Sequence, residues 1–281
     1  MHISALKNKN GVFALLELDN SLKISSLLEL DLKLDDNKLL LTELNKQFLL
    51  SLSPNASGVV MDPAYTLPLI DKKANQAGLA LRLEKIQEET DPLAVPSLIP
   101  NWGVELIRQN YGVAKLELYY HPKEKEALKK KQLVSELFDF CQYEHIDFLL
   151  KLIVYTPADE EFSNLSFQEA QLQSIEEFRS SCNLMALQYP FDALAVATVT
   201  SELDIPWIVS LTGVDYQINK DNLRTCLENG AQGFMAGEIL WQGLREHRTD
   251  DQALDLNAIF AYIQTTVRDR FLELERISNE E

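Results

Sequence analysis

Lys115 and Lys151 stand where lysines are uncommon, inside segments that otherwise read as buried strands. In Gly112-Val113-Ala114-Lys115-Leu116-Glu117-Leu118-Tyr119-Tyr120, period-two alternation puts Lys115, Glu117 and Tyr119 on one face and Ala114, Leu116, Leu118 and Tyr120 on the other. Two arrangements accommodate such a strand. One is a solvated sheet face. The other is a closed barrel, with the polar face pointing inward and the apolar face packed under helices. Lysine becomes a carbonyl-reactive nucleophile when burial or a second cation lowers its pKa. Lys151 occupies the centre of Asp147-Phe148-Leu149-Leu150-Lys151-Leu152-Ile153-Val154-Tyr155, a nearly continuous apolar run. Its plainer explanation is a structural ion pair with Glu117 or Glu238.

Other polar residues fall at or near strand ends: Asp19, Asp62, Glu84, Gln188 and Glu238. Acids there serve as proton-transfer groups or as caps and loop anchors, and the two roles carry equal weight for Asp62 and Glu84. Gly213 and Gly237 lie where backbone N–H groups of a barrel hold a phosphate, although tight loop packing explains two single glycines equally well. His2, His121, His145 and His247 do not cluster, and none has the context of a nucleophile elbow. No cofactor or metal site is expected, because there is no CxxC, no histidine cluster and no GxGxxG after the first strand.

The elements that must position these groups follow from the apolar periodicity. Strands are expected over Gly11–Asp19, Gly58–Pro63, Gly78–Glu84, Val113–Tyr120, Asp147–Tyr155, Leu184–Tyr189, Trp207–Gly213 and Gly233–Glu238. Helices are expected between most of them. They include Asp35–Leu52, a helix to Arg179 opened by a Ser166/Glu169 capping box, and a long closing helix over Asn257–Arg276. Eight short apolar strands alternating with helices predict a single-domain α/β chain, a (β/α)8 TIM barrel over residues 1–281, with an open doubly wound sheet as the alternative.

Composition narrows the partners. The 281 residues are 46% hydrophobic, enough for a full core. A net charge of −17 argues against nucleic acid and acidic membranes as partners, and it opposes doubly phosphorylated ligands unless the site makes its own positive field. No apolar run reaches transmembrane length, and the N-terminal residues have no signal-peptide pattern. Three scattered cysteines (Cys141, Cys182, Cys226) fit reduced thiols in a cytoplasmic protein. The oligomeric state is not encoded in any feature of the sequence.

Several segments together resemble one family. Gly58–Pro68 is similar to the LLDPEYGLP strand-loop of class I tagatose-1,6-bisphosphate aldolases, Gly78–Lys85 to their GLLLAYEK segment, Val113–Tyr120 to their AVKFLLYY strand, and Gly233–Trp241 to their GVLCGRATW. The resemblance runs from the first strand to Trp241. It implies a (β/α)8 barrel in which a sixth-strand lysine forms a Schiff base with the ketose or dihydroxyacetone phosphate. Matched residue by residue, the first-strand acid is Asp19 and the fourth-strand lysine is Lys115. The fifth-strand glutamate falls on Lys151, the Schiff-base lysine on Ala186 and its neighbouring glutamate on Gln188. The phosphate-binding arginine falls on Glu238, and the glutamate of DPEY on Ala64.

Alanine forms no imine, and glutamate in place of arginine turns attraction for a phosphate into repulsion. These departures imply a diverged family member that does not cleave tagatose bisphosphate by the family mechanism and that, without catalysis, binds a protein or a small molecule such as a carbohydrate or keto acid. The alternative is an active Schiff-base lyase with a relocated amine. There Lys151 forms the imine, Lys115 depresses its pKa by like charge, Asp19 or Glu117 transfers protons, and Asp62, Gln188, Gly213, Gly237 and Glu238 contact substrate.

Overall fold

The computed structural model describes residues 2–86, 91–158, 161–213 and 215–280, so Met1 and Glu281 lie outside it. Eight parallel strands close on themselves in sequence order: β1 Phe13–Glu17, β2 Gly58–Met61, β3 Gly78–Arg82, β4 Val113–Tyr120, β5 Phe148–Val154, β6 Leu184–Leu187, β7 Trp207–Leu211 and β8 Gly233–Ala236. The sheet closes where Phe13 pairs with Gly233 and Leu16 with Ala236, which excludes the open doubly wound alternative. Gly233 is required at this seam: its φ is +139°, and a Cβ there would lie 1.9 Å from the Phe13 carbonyl oxygen. The chain is a (β/α)8 TIM barrel.

Helices α1 Ser21–Leu27 and α2 Asp35–Leu52 follow β1, and α3 Val104–Gln109 and α4 Ala127–Tyr143 flank β4. Then come α5 Asn164–Phe178, α6 Ala193–Glu202, α7 Tyr216–Glu228, α8 Glu238–Trp241, α9 Leu256–Tyr262 and α10 Arg268–Glu280. The connection from β2 to β3 carries a 3-10 segment, Leu67–Lys72, in place of an α-helix. The α2 boundaries agree with the sequence pattern, since Leu41, Leu44, Phe48, Leu49 and Leu52 form one buried stripe. Two expectations need correction. The capping box before α5 is formed by Ser163 and Ser166, three residues earlier than expected, because Ser163 adopts the extended backbone that lets its hydroxyl accept from the Ser166 N–H. The closing helix is interrupted by a π-helical segment, Ile263–Val267, between α9 and α10.

Strands buried on both faces build two separate apolar layers. Outward residues such as Ala114, Leu116, Leu118 and Leu150 pack under the helices with the main core. Inward residues Phe13, Leu15, Val60, Ala80, Val113, Leu149, Leu184, Ala186, Ile208 and Met235 fill the lower barrel, with Leu6 of the 3-10 segment Ile3–Leu6 packed among them. Each strand that continues upward then brings its next inward residue to the C-terminal end of the barrel. No helix among the described residues is long and apolar enough to cross a membrane.

Candidate functional site: a charged layer at the barrel mouth

Above the apolar layer, the inward positions of β1, β3, β4 and β5 become charged. Glu17 follows Leu15, Arg82 follows Ala80, Lys115 and Glu117 follow Val113, and Lys151 follows Leu149, each two residues on along the pleat. Asp19 and Glu84, just past β1 and β3, complete the layer. Parallel register fixes their neighbours: Arg82 is level with Lys115, Glu117 with Lys151, and Lys151 with Ala186. Lys115 is thus on the inward polar face of a barrel strand and not on a solvated sheet.

Lys115 is fully buried. Its Nζ lies 2.8 Å from Asp19 Oδ2, 3.3 Å from Glu84 Oε1, 3.7 Å from Glu117 Oε2 and 4.0 Å from Glu17 Oε1. Lys151, buried but 5% exposed, donates to Glu17 Oε1 at 2.5 Å and lies 2.9 Å from Glu117 Oε2. Arg82 donates to Glu84 Oε1 at 2.8 and 3.0 Å and to the Asp19 carbonyl at 2.5 Å, with Asp19 Oδ2 at 3.5 Å. Three cations therefore share one layer with four carboxylates.

Burial acts on these groups against their partners. Desolvation alone would lower the pKa of Lys151, but Glu117, Glu17 and Asp19 outweigh it and push the pKa up. Lys115 is raised in the same way: burial pulls down, and Asp19 and Glu84 prevail. Burial pushes Glu117 up, yet Lys151 and Lys115 hold it well below the carboxylate range, and Arg82 and both lysines likewise lower Asp19. The expectation that Lys115 depresses the pKa of Lys151 is therefore overturned. The nearest charges around Lys151 are carboxylates, and their attraction exceeds the repulsion from a second lysine.

The remaining expected site residues disperse. Asp62 is buried, but it anchors a loop: Oδ1 accepts from the N–H groups of Ala64 and Tyr65 at 2.8 and 2.7 Å. Burial pushes its carboxyl up to about 6, partly offset by those two N–H groups. It does not line the barrel-mouth cavity. That cavity, about 180 Å³, is bounded by Glu17, Glu117, Lys151, Gln188, Gly237 and Glu238 among others. Gln188 faces it with its Oε1 accepting from the Val154 N–H at 2.7 Å. Glu238 stands at the rim, 3.6 Å from Lys23, so of the two expected partners Lys151 pairs with Glu117 and not with Glu238, and Glu17 is its second carboxylate. Gly237 packs against β1, where a Cβ would meet the Glu17 carbonyl oxygen at 3.0 Å. Gly213 lies outside this cavity, in a neighbouring one, with φ +83°.

Glu17 and Arg82 are central here, and the sequence reading passed over both. The pleat contained the signal. Glu17 shares a face with Leu15 and Asp19, and Arg82 with Ala80 and Glu84.

No family model matches this chain. Its sequence is 20% identical over 274 residues to tagatose 1,6-diphosphate aldolase 2 of Streptococcus mutans, covering 86% of this chain and 83% of that one. It is 25% identical over 225 residues to tagatose 1,6-diphosphate aldolase 2 of Enterococcus faecalis, covering 68% and 67%. The chain is a distant relative of the tagatose 1,6-diphosphate aldolases. Solved structures agree on the barrel. An archaeal fructose 1,6-bisphosphate aldolase superposes with a TM-score of 0.65 at 13% identity over 96% of this chain and 97% of that one. A fructose-bisphosphate aldolase from Slackia heliotrinireducens gives 0.64 at 13% identity over 99% and 89%. In this aldolase-like barrel the position matched to the reactive lysine, Ala186, belongs to the apolar inner layer beside Lys151.

Proposed function

We propose that this chain binds a small hydroxylated, non-phosphorylated carbohydrate or keto acid in the barrel mouth, and that it does not cleave a sugar bisphosphate through an imine. One observation carries the reading: the Lys151 ammonium is clamped between Glu17 and Glu117 while its neighbour at the family's lysine position is Ala186. Attack on a carbonyl needs a neutral amine, and two carboxylates within 2.9 Å favour the ammonium. Lys115, within 4.0 Å of four carboxylates, is held in the same form. The cavity offers acceptors in Glu117 and Glu238 and donors in Lys23, Asn20 and Thr212, which suits hydroxyl groups. Glu238 at the position matched to a phosphate-binding arginine disfavours a phosphate. Cys141, Cys182 and Cys226, all free and buried, accord with a reducing cytoplasm.

A second reading, a relocated-amine lyase, is favoured by the register that puts Lys151 level with Ala186. In it Lys151 forms the imine and Asp19 or Glu117 transfers protons. One experiment separates the two. The protein is incubated with dihydroxyacetone phosphate, pyruvate and unphosphorylated ketoses, reduced with borohydride, and analysed by intact mass and peptide mapping. The binding reading expects no adduct, together with a ligand-dependent rise in melting temperature for an unphosphorylated compound. An adduct on Lys151 or Lys115 overturns it in favour of the lyase.

A further inference from the structure

A second cavity of about 380 Å³ opens beside the barrel mouth and shares Gln188, Leu211 and Thr212 with the first. Its character is different. Phe167, Tyr189, Phe191 and Ile218 line it, and among its described lining residues there is no lysine or arginine. The Phe191 ring packs edge-on against Phe167, Phe162 and Tyr189, with centroids 5.1, 5.5 and 6.4 Å away, yet Phe191 remains 42% exposed and Ile218 57%. Phe191 is also held at φ +73°, a left-handed conformation that a bulky side chain adopts only when its surroundings impose it. That backbone sets a large apolar ring at the cavity edge, where the described residues leave it partly exposed.

The polar groups of this cavity are largely committed within the chain. Asp215 caps α7 by accepting from the Ile218 N–H at 2.9 Å, and the Asn219 amide donates to the carbonyls of Thr212 and Asp215 at 2.7 and 2.9 Å. An apolar pocket continuous with a polar cavity matches a ligand with a hydroxylated head and an apolar substituent.

We propose that this second cavity takes an uncharged aryl or short alkyl substituent of the ligand whose hydroxylated head occupies the first cavity. The proposal rests on the reading that the barrel mouth binds such a head. The ligand class is then a glycoside-like molecule with an apolar aglycone. An acid in the lining and the lack of a facing cation among the described residues disfavour a phosphate there.

The test uses matched methyl and phenyl β-D-galactopyranosides and glucopyranosides, with affinity measured by calorimetric titration, and benzyl alcohol as a headless probe observed by NMR. The phenyl glycoside is expected to bind about tenfold tighter than its methyl counterpart, the gain from removing one aromatic face from water. Ile218→Ser, on an exposed helix position, is expected to bring that ratio toward one. Phe191→Gly does the same while relieving the left-handed backbone, so its melting temperature separates lost binding from lost folding. Glycoside binding with equal affinity for the methyl and phenyl forms, or a ratio insensitive to Ile218→Ser, overturns the apolar subsite and leaves the proposed function intact. Benzyl alcohol bound at Phe191 with no glycoside bound at all overturns the hydroxylated-head reading, and the two-part ligand with it.

Discussion

The inner wall of this barrel has a charged side and an uncharged side, and facing carboxylates outweigh burial on the charged side. On β1, β3, β4 and β5, the layer above the apolar core holds Glu17, Arg82, Lys115, Glu117 and Lys151, with Asp19 and Glu84 just beyond. The inward positions of β6, β7 and β8 carry no charge: they are Leu184 and Ala186, Ile208 and Ser210, and Met235. A lysine on the charged side meets carboxylates at hydrogen-bond distance and is kept as an ammonium despite its burial. A lysine on the uncharged side would meet desolvation without a facing carboxylate, the condition that produces a reactive amine. The family resemblance puts the reactive lysine on β6, the uncharged side, where this chain has alanine. An amine at position 151 meets two carboxylates that the apolar residues around position 186 do not supply.

The largest expected effect comes from breaking the charged side at its centre. Lys115→Met removes the cation 2.8 Å from Asp19 and 3.3 Å from Glu84 and leaves those carboxylates buried without it. Loss of about 3–5 kcal/mol is expected, seen as a fall in melting temperature of roughly 10 °C. The matching change on the uncharged side, Ser210→Ala, deletes a hydroxyl that has no partner and should cost less than about 0.5 kcal/mol or stabilise slightly. Equal losses at the two sites would remove the distinction between the halves.

A smaller effect is expected at Asp62, which is buried like its charged neighbours but lacks an ion-pair partner. Its carboxyl is raised from 3.8 to about 6 by burial. Between about pH 4 and pH 6 the folded state therefore holds more protons than the unfolded state, and this group makes stability fall as pH rises through that window. Asp19 and Glu117 carry lowered pKa values and act the other way, contributing stability that is lost as pH drops below the ordinary carboxylate range. Asp62→Asn should raise stability near pH 7.5 by about 3 kcal/mol and leave it little changed near pH 4. Chemical denaturation across that range measures both. A pH profile identical to that of the parent protein would show that Asp62 does not titrate as its burial requires.

The barrel was legible because strands buried on both faces leave an unmistakable rhythm of short apolar runs, and the opposite faces of Val113–Tyr120 could be assigned from alternation alone. Lys115, Glu117 and Lys151 were legible for the same reason, as charges interrupting that rhythm. Glu17 and Arg82 were missed because each lies inside or at the end of a strand where a neighbouring acid, Asp19 or Glu84, drew attention to the loop. Of the two carboxylates that Lys151 meets, Glu117 was legible and Glu17 was not. Glu17 reaches it across the closed barrel, 134 positions away in the chain, and only closure of the sheet decides that Glu17 and not Glu238 arrives there. The sign of the lysine pKa shifts depends on those distances, so it too had to come from the structure.

The smallest expected effect tests the rim that joins the two halves. Lys23 lies 3.6 Å from Glu238, and both side chains are nearly half exposed, at 45% and 44%. Water screens such a pair, and holding two long side chains together costs entropy, so Lys23→Ala should change stability by less than about 0.5 kcal/mol. Salt near 0.5 M should erase even that. A loss above about 1 kcal/mol that persisted in salt would mean that Glu238 belongs electrostatically to the buried network, extending the charged side across β8. The mouth would then have no uncharged wall, and the contrast between an ammonium-holding half and an amine-permitting half would fail at the strand that closes the barrel.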